Sequence, residues 1–286
     1  MGIASPDVPH KDEMEKSRLV SSEDQQFWQA MSGLAAKITD ALNKHGKKDI
    51  VARAITLLQN RILQSTTTLW LLCCEARHPW DADGALILRA IYDASLQSLY
   101  ILNKPELREQ RARQYLDFAW IEKDWSRKWG DKYSSPLAKN FRESPMRSLG
   151  EPVLDKNLRR IRSRYLTIAG KEWRQTWYKG SLRNLAEELG LEEEYDLLQK
   201  QLSGAVHSSP HTLLHGPVIR GTHHITWAWH FAFRLLARVV QWYGLGSEEI
   251  GLRDDEWRTL QSSDQSLIIQ SPAHKKHKKR ESGGHP

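Results

Sequence analysis

The sequence predicts an all-α protein, a helical bundle of about six main helices. Three observations carry this reading. Apolar residues recur at steps of three and four along most of the chain, no alternating apolar–polar run is long enough for a strand, and residues 223–243 are apolar nearly all round. A helix apolar on every side belongs inside a bundle, so 223–243 is expected to be its central helix.

Taken in order, residues 1–25 mix Pro, Ser and alternating charges without apolar periodicity and read as a flexible tail. The first stripe is Ile55, Leu58, Ile62, Ser65, Leu69, Leu72 and Ala76, ending at His78-Pro79. Asp81 or Asp83 is placed to cap a second helix, with stripe Leu88, Ile91, Tyr92, Ser95, Leu99 and Leu102, stopped by Asn103 and Pro105. Pro105 suits the first turn of a third, which carries Leu107, Phe118, Ile121, Trp125 and Trp129 to a stop near Gly130. Residues 130–150 read as a loop. Leu154, Leu158, Ile161, Tyr165 and Ile168 then mark a clean amphipathic helix before Gly170, and a fifth runs from Glu192 through Tyr195, Leu198, Leu202 and Val206. In the sixth, 223–243, the polar stripe is His230, Arg234, Arg238 and Gln241. A single domain over 26–258 is expected, followed by a flexible basic tail over 259–286.

The chain has 286 residues, 40% of them hydrophobic, with twelve tryptophans whose large buried area offsets the modest apolar fraction. Adjacent Cys73 and Cys74 read as small core residues, since neighbours rarely pair and two thiols make no four-ligand zinc site. The apolar run at 69–74 is far short of the ~20 residues of a bilayer helix, and the N-terminus reads neither as a signal peptide nor, with Pro6, as a myristoylation signal. A cytoplasmic location without a membrane role is expected.

The net charge of +7 is unevenly distributed, because Lys275, Lys276, Lys278, Lys279 and Arg280 crowd the tail against Glu281. Within the body, residues 156–183 hold nine basic residues against Glu172, interleaved with Tyr165, Trp173, Trp177 and Tyr178. Such a segment suits an anionic partner such as RNA or DNA, and Arg159, Arg162, Lys171, Arg174 and Lys179 are assigned to one common binding surface. The plainer alternative is the solvated face of an amphipathic helix.

Two short stretches, LILRAIYDASLQSLYIL at 86–102 and YDLLQKQLSGAVHSSP at 195–210, carry a resemblance. In the first an Arg is followed four residues later by an acid; in the second a Ser is followed three residues on by an apolar-His pair. Together they resemble a bacterial all-helical family catalogued as domain of unknown function 5677, over roughly residues 50–245. That family usually has Glu where this chain has Asp93, and it has no settled activity. The resemblance implies a helical, cytoplasmic protein and leaves the chemistry open. The Arg-to-His spacing of HEPN-type helical ribonucleases is met only by Arg280 and His285, in the tail.

The motifs supply a candidate cluster. Arg89 and Asp93 lie one turn apart, as do Ser203 and His207, and facing helices would gather all four into a polar pocket able to bind phosphate or move a proton. Their plainer roles are a structural ion pair and a helix end at Ser208-Ser209-Pro210. His207, His211 and His215 are spaced for a metal, but Pro210 interrupts the helix. No Gly-rich phosphate loop, GxSxG or HExxH motif occurs, so neither a metal nor a cofactor is expected. Two function classes follow: a protein that binds an anionic partner, in a bacterial defence or stress setting suggested by the resemblance, or a metal-independent ribonuclease-like enzyme using Arg89, Asp93, Ser203 and His207. A protein partner or a second copy is compatible with either.

Overall fold

Stripes of apolar side chains at steps of three and four leave water only when helices wind and pack stripe against stripe. The computed structural model describes residues 22–75, 81–132, 136, 151–165, 176–206 and 223–263. Among them run α1 (Ser22–Lys44), α2 (Ile50–Glu75), α3 (Asp81–Asn103), α4 (Arg108–Lys132), α5 (Glu151–Tyr165), α6 (Leu182–Leu189), α7 (Glu192–Val206), α8 (His223–Tyr243), α9 (Ser247–Ile250) and α10 (Asp254–Ser263). One 3₁₀ turn, Pro105–Leu107, joins α3 to α4, and the described residues contain no strand. The fold is all-α.

The six expected helices are α2, α3, α4, α5, α7 and α8. α1, α6, α9 and α10 are additional, and the first and last carry helix outside 26–258, from Ser22 and to Ser263. The thiols of Cys73 and Cys74, and residues Ile168, Lys171, Arg174, His207, His211 and His215, lie outside the described part.

The centre is shared by two helices. α8 buries Trp229, Phe231, Phe233, Leu235, Leu236 and Val239 among others, and packs on α1, α2, α3 and α10. α3 has a wider set of neighbours: α2, α4, α6, α7 and α8. Residues 83–103 of α3 are long and apolar enough to cross a bilayer, although polar residues interrupt the apolar ones and no contiguous run is that long. Most of that surface is turned against the five neighbouring helices, as in the core helix of a bundle.

α6 is too short to be held by its own periodicity, and its ends explain its presence. The Ser181 hydroxyl accepts from the Asn184 backbone N–H at 3.3 Å, while Asn184 Oδ1 accepts from the Ser181 N–H at 2.9 Å; Gly190 closes the helix at φ 70°. Leu185 and Ala186 are thereby seated in the core. Ser181→Ala is expected to lower stability by about 1 kcal/mol, read by urea denaturation. No change would show that packing alone holds α6.

Candidate functional site

Arg89 and Asp93 form an ion pair along α3, Nε to Oδ1 at 2.8 Å. The Arg89 guanidinium lies 5.6 Å from the centre of the Tyr195 ring on α7, so the pair also meets a tertiary partner. Asp93 faces a cleft of about 450 Å³ between α2, α3, α4 and the irregular segment 176–180. Trp177, Tyr178, Tyr115 and Phe118 supply its aromatic surface, and Glu122 and Arg61 are its other charged residues. Trp177 is anchored by its indole N–H, which donates to Gln97 Oε1 at 2.8 Å. Burial holds the Asp93 carboxyl above its ordinary value, a push that Arg89 only partly offsets. Burial, with Asp93 and Tyr195 nearby, also holds the Tyr178 phenol up to about 12.

Of the four residues expected to cluster, Arg89, Asp93 and Ser203 are among the described residues, and the first two meet as an ion pair. Leu191, just before α7, shares a pocket with Leu99 and Leu102, and Tyr195 meets Tyr92 and Arg89, so α7 runs antiparallel to α3. Ser203 therefore lies about 12 Å further along the axis than Tyr195, toward the start of α3. It is half-buried. His207 is outside the described residues.

A second polar group, whose members lie far apart in the sequence, sits in the core between α3, α7 and α8. Arg234 donates to both Glu194 oxygens, at 2.9 and 2.6 Å, and both side chains are buried. Arg234 Nη2 also lies 2.6 Å from His230 Nε2, and burial, then the Arg234 charge, push this imidazole down to about 3. A neutral ring accepting at Nε2 carries its proton on Nδ1. Burial and the nearby Glu194 carboxylate raise the Tyr92 phenol as well.

His230 gives the fold a pH dependence of definite sign. The folded protein keeps the ring neutral, while the unfolded chain takes up a proton below about 6.5. Stability is therefore complete above 6.5 and falls as pH drops toward 3, by at most about 1.4 kcal/mol per pH unit from this one group. Denaturation midpoints between pH 7 and 4.5 should fall less steeply in His230→Asn. Equal slopes would exclude the effect.

On the same side of α8, a pocket of about 340 Å³ is lined by Arg108, Arg234 and Arg238, with Leu99, Leu102, Leu191 and Trp242 as apolar wall. Asn103 and Gln241 add neutral polar groups, and among the described residues no carboxylate lines the pocket. Arg108 Nε donates to the Leu102 carbonyl at 2.8 Å, and burial lowers its guanidinium below the ordinary value, with Glu106 opposing. Arg234 Nε is a buried donor with no acceptor among the described residues. The stripe Arg234, Arg238 and Gln241 was visible in the sequence; Arg108 was missed because only the fold carries the start of α4 to α8.

The basic segment divides on α5. Leu154, Leu158, Ile161 and Tyr165 are buried as the stripe predicts. Arg160 and Arg164 reach Asp117 of α4, at 2.6 and 3.5 Å, and so tie α5 to the bundle. Arg159, Arg162 and Lys179 are exposed, and Lys171 and Arg174 lie outside the described residues. Among the described residues no three His, Cys, Asp or Glu side chains gather as metal ligands.

A family model described as a family of unknown function, DUF5677, matches residues 52–218, more than half of the chain. The lining of the Asp93 cleft lies wholly inside that stretch, whereas Arg234 and Arg238 lie beyond it. No curated protein and no solved structure matches the chain.

Proposed function

The chain belongs to DUF5677, a family of unknown function, and from that premise we propose that the protein binds an anionic ligand in the arginine-lined pocket between α3, α4 and α8. The observation that supports this most directly is the lining itself: among the described residues, three guanidinium groups and no carboxylate. Glu194 pairs with Arg234 in the core, and Arg108 and Arg238 bring two further guanidinium groups to the lining. A cation in a partly buried site gains when an anion enters, because the guanidinium recovers the interactions lost with water. Phosphate is the chemistry that a fork of guanidinium donors fits best.

Calorimetry with inorganic phosphate and a mononucleotide tests the reading. Binding should weaken with added salt, and Arg108→Ala/Arg238→Ala should lower affinity at least about tenfold, or 1.4 kcal/mol, at an unchanged helical spectrum. An unaltered affinity in the double variant, or the absence of binding by the parent protein, would reject it.

A second reading has its own support in Arg159 and Arg162, which stand exposed on α5. A nucleic acid laid along this face would release about 0.9 counterion per neutralised phosphate. Arg159→Ala/Arg162→Ala is then expected to reduce the salt slope of RNA or DNA binding by roughly 1.8 in a protein ending near residue 263. Removal of Arg160 and Arg164, held by Asp117, should act mainly on stability. A slope unaffected by the Arg159/Arg162 pair would remove α5 from nucleic-acid binding.

A further inference from the structure

The Asp93 cleft has the opposite character to the arginine pocket. Its two carboxylates come from adjacent helices, Asp93 from α3 and Glu122 from α4. Between and around them lie Trp177, Tyr178, Tyr115 and Phe118, the first packed within 5.5 Å of the Tyr115 ring centre and 5.3 Å of that of Tyr178. This combination of π faces and acceptors in one concave space of about 450 Å³ is the chemistry that holds a flat cation: the faces attract the charge, and the carboxylates take its N–H donors.

We infer that the cleft bounded by Asp93, Glu122, Trp177 and Tyr178 is a binding site for a small planar organic cation of the amidinium or guanidinium type. The charges around it agree with this. Arg89 meets Asp93 through Nε, from the side of Tyr195, and is not among the cleft-lining residues. Arg61, the one lining cation among the described residues, sits exposed on α2, where solvent screens it. Burial raises the Asp93 carboxyl, which gains most from a donor arriving in the cleft, while Glu122, also raised, stands at the exposed rim where its contribution is smaller. Burial, then the nearby Glu122, raises the Tyr115 phenol too, which keeps both phenols of the cleft neutral and able to donate to a carboxylate.

The site is independent of the arginine pocket and is tested with a different probe. Benzamidinium and its neutral isostere benzamide differ in charge and in donor number but hardly in shape. Titrated against the full chain and followed by tryptophan fluorescence and calorimetry, benzamidinium should bind with a Kd below about 1 mM and at least about tenfold more tightly than benzamide. Asp93→Asn should abolish that preference. Glu122→Gln, on the exposed rim, should reduce it severalfold, and it carries the test if loss of the Arg89 partner unfolds the Asp93 variant. Arg238→Ala should leave benzamidinium binding unchanged while it lowers phosphate binding, so the two sites fail separately. Equal affinity for the neutral isostere, no saturation up to about 10 mM, or a preference that survives Glu122→Gln and Asp93→Asn would each overturn the inference.

Discussion

Glu194→Ala is expected to destabilise the protein by about 3–5 kcal/mol, a large part of the stability of a domain of this kind. Arg234 is buried, and a guanidinium does not escape burial by giving up its proton. Its charge is met by the two Glu194 oxygens, each accepting one hydrogen bond. His230 accepts a further one as a neutral ring and offers no charge. Removing the carboxylate leaves a desolvated cation facing Tyr92 and apolar residues. Glu194→Gln, which keeps an acceptor and loses the charge, should fall between parent and alanine. The double variant Glu194→Leu/Arg234→Met should recover much of the loss, because it removes the burial of both charges together. Urea denaturation with unchanged slope decides this. A loss below about 1 kcal/mol for Glu194→Ala would mean that water reaches the pair and that it behaves as a surface salt bridge.

This ion pair shows where sequence reading stopped. The polar stripe of α8 was legible from spacing alone, but spacing does not tell a solvated face from one buried against a partner. The partner stands forty positions earlier, in the run Glu192, Glu193 and Glu194, which reads locally as acids favoured in the first turn of a helix. The same holds at Asp117, an interior acid of α4 whose reason is Arg160 on α5. The long helices α2, α3, α4, α5, α7 and α8 were legible because burial imposes a period on them, whereas α1 was missed although its buried Leu34, Ala35, Ile38, Ala41 and Leu42 follow the same period. α6 and α9 were not legible, since eight and four residues carry too little period and are fixed by their caps. At the Asp93 cleft the ion pair follows from an i,i+4 spacing, but the Tyr195 ring that Arg89 also meets stands on another helix and did not follow from it. The aromatic wall did not follow, because Trp177 and Tyr178 lie on a segment with no period, where the fold alone decides which way a ring points.

Trp177→Ala is the second substitution with a large expected effect. The indole is 5% exposed and packs against Tyr100, Tyr115 and Tyr178, with ring centres 5.8, 5.5 and 5.3 Å away. Segment 176–180 has no helical ladder; Thr176 Oγ1 donates to the Tyr178 carbonyl at 2.8 Å, and Trp177 docks the segment on α3 through Gln97. Truncating a buried Trp costs about 3–5 kcal/mol where the cavity cannot collapse. A bend segment can relax, so the loss should sit at the lower end and be accompanied by faster amide exchange at 176–180. Trp177→Phe keeps most of the apolar area and loses the hydrogen bond to Gln97, so about 1 kcal/mol is expected from it. The cleft should respond as well. Burial is the leading reason the Asp93 carboxyl stands above its ordinary value, so opening the wall in Trp177→Ala should let it titrate lower, a shift that carboxyl NMR reads directly. An Asp93 titration unmoved in Trp177→Ala, with exchange at 176–180 unaltered, would show that the segment is held by other contacts and that Trp177 does not close the cleft.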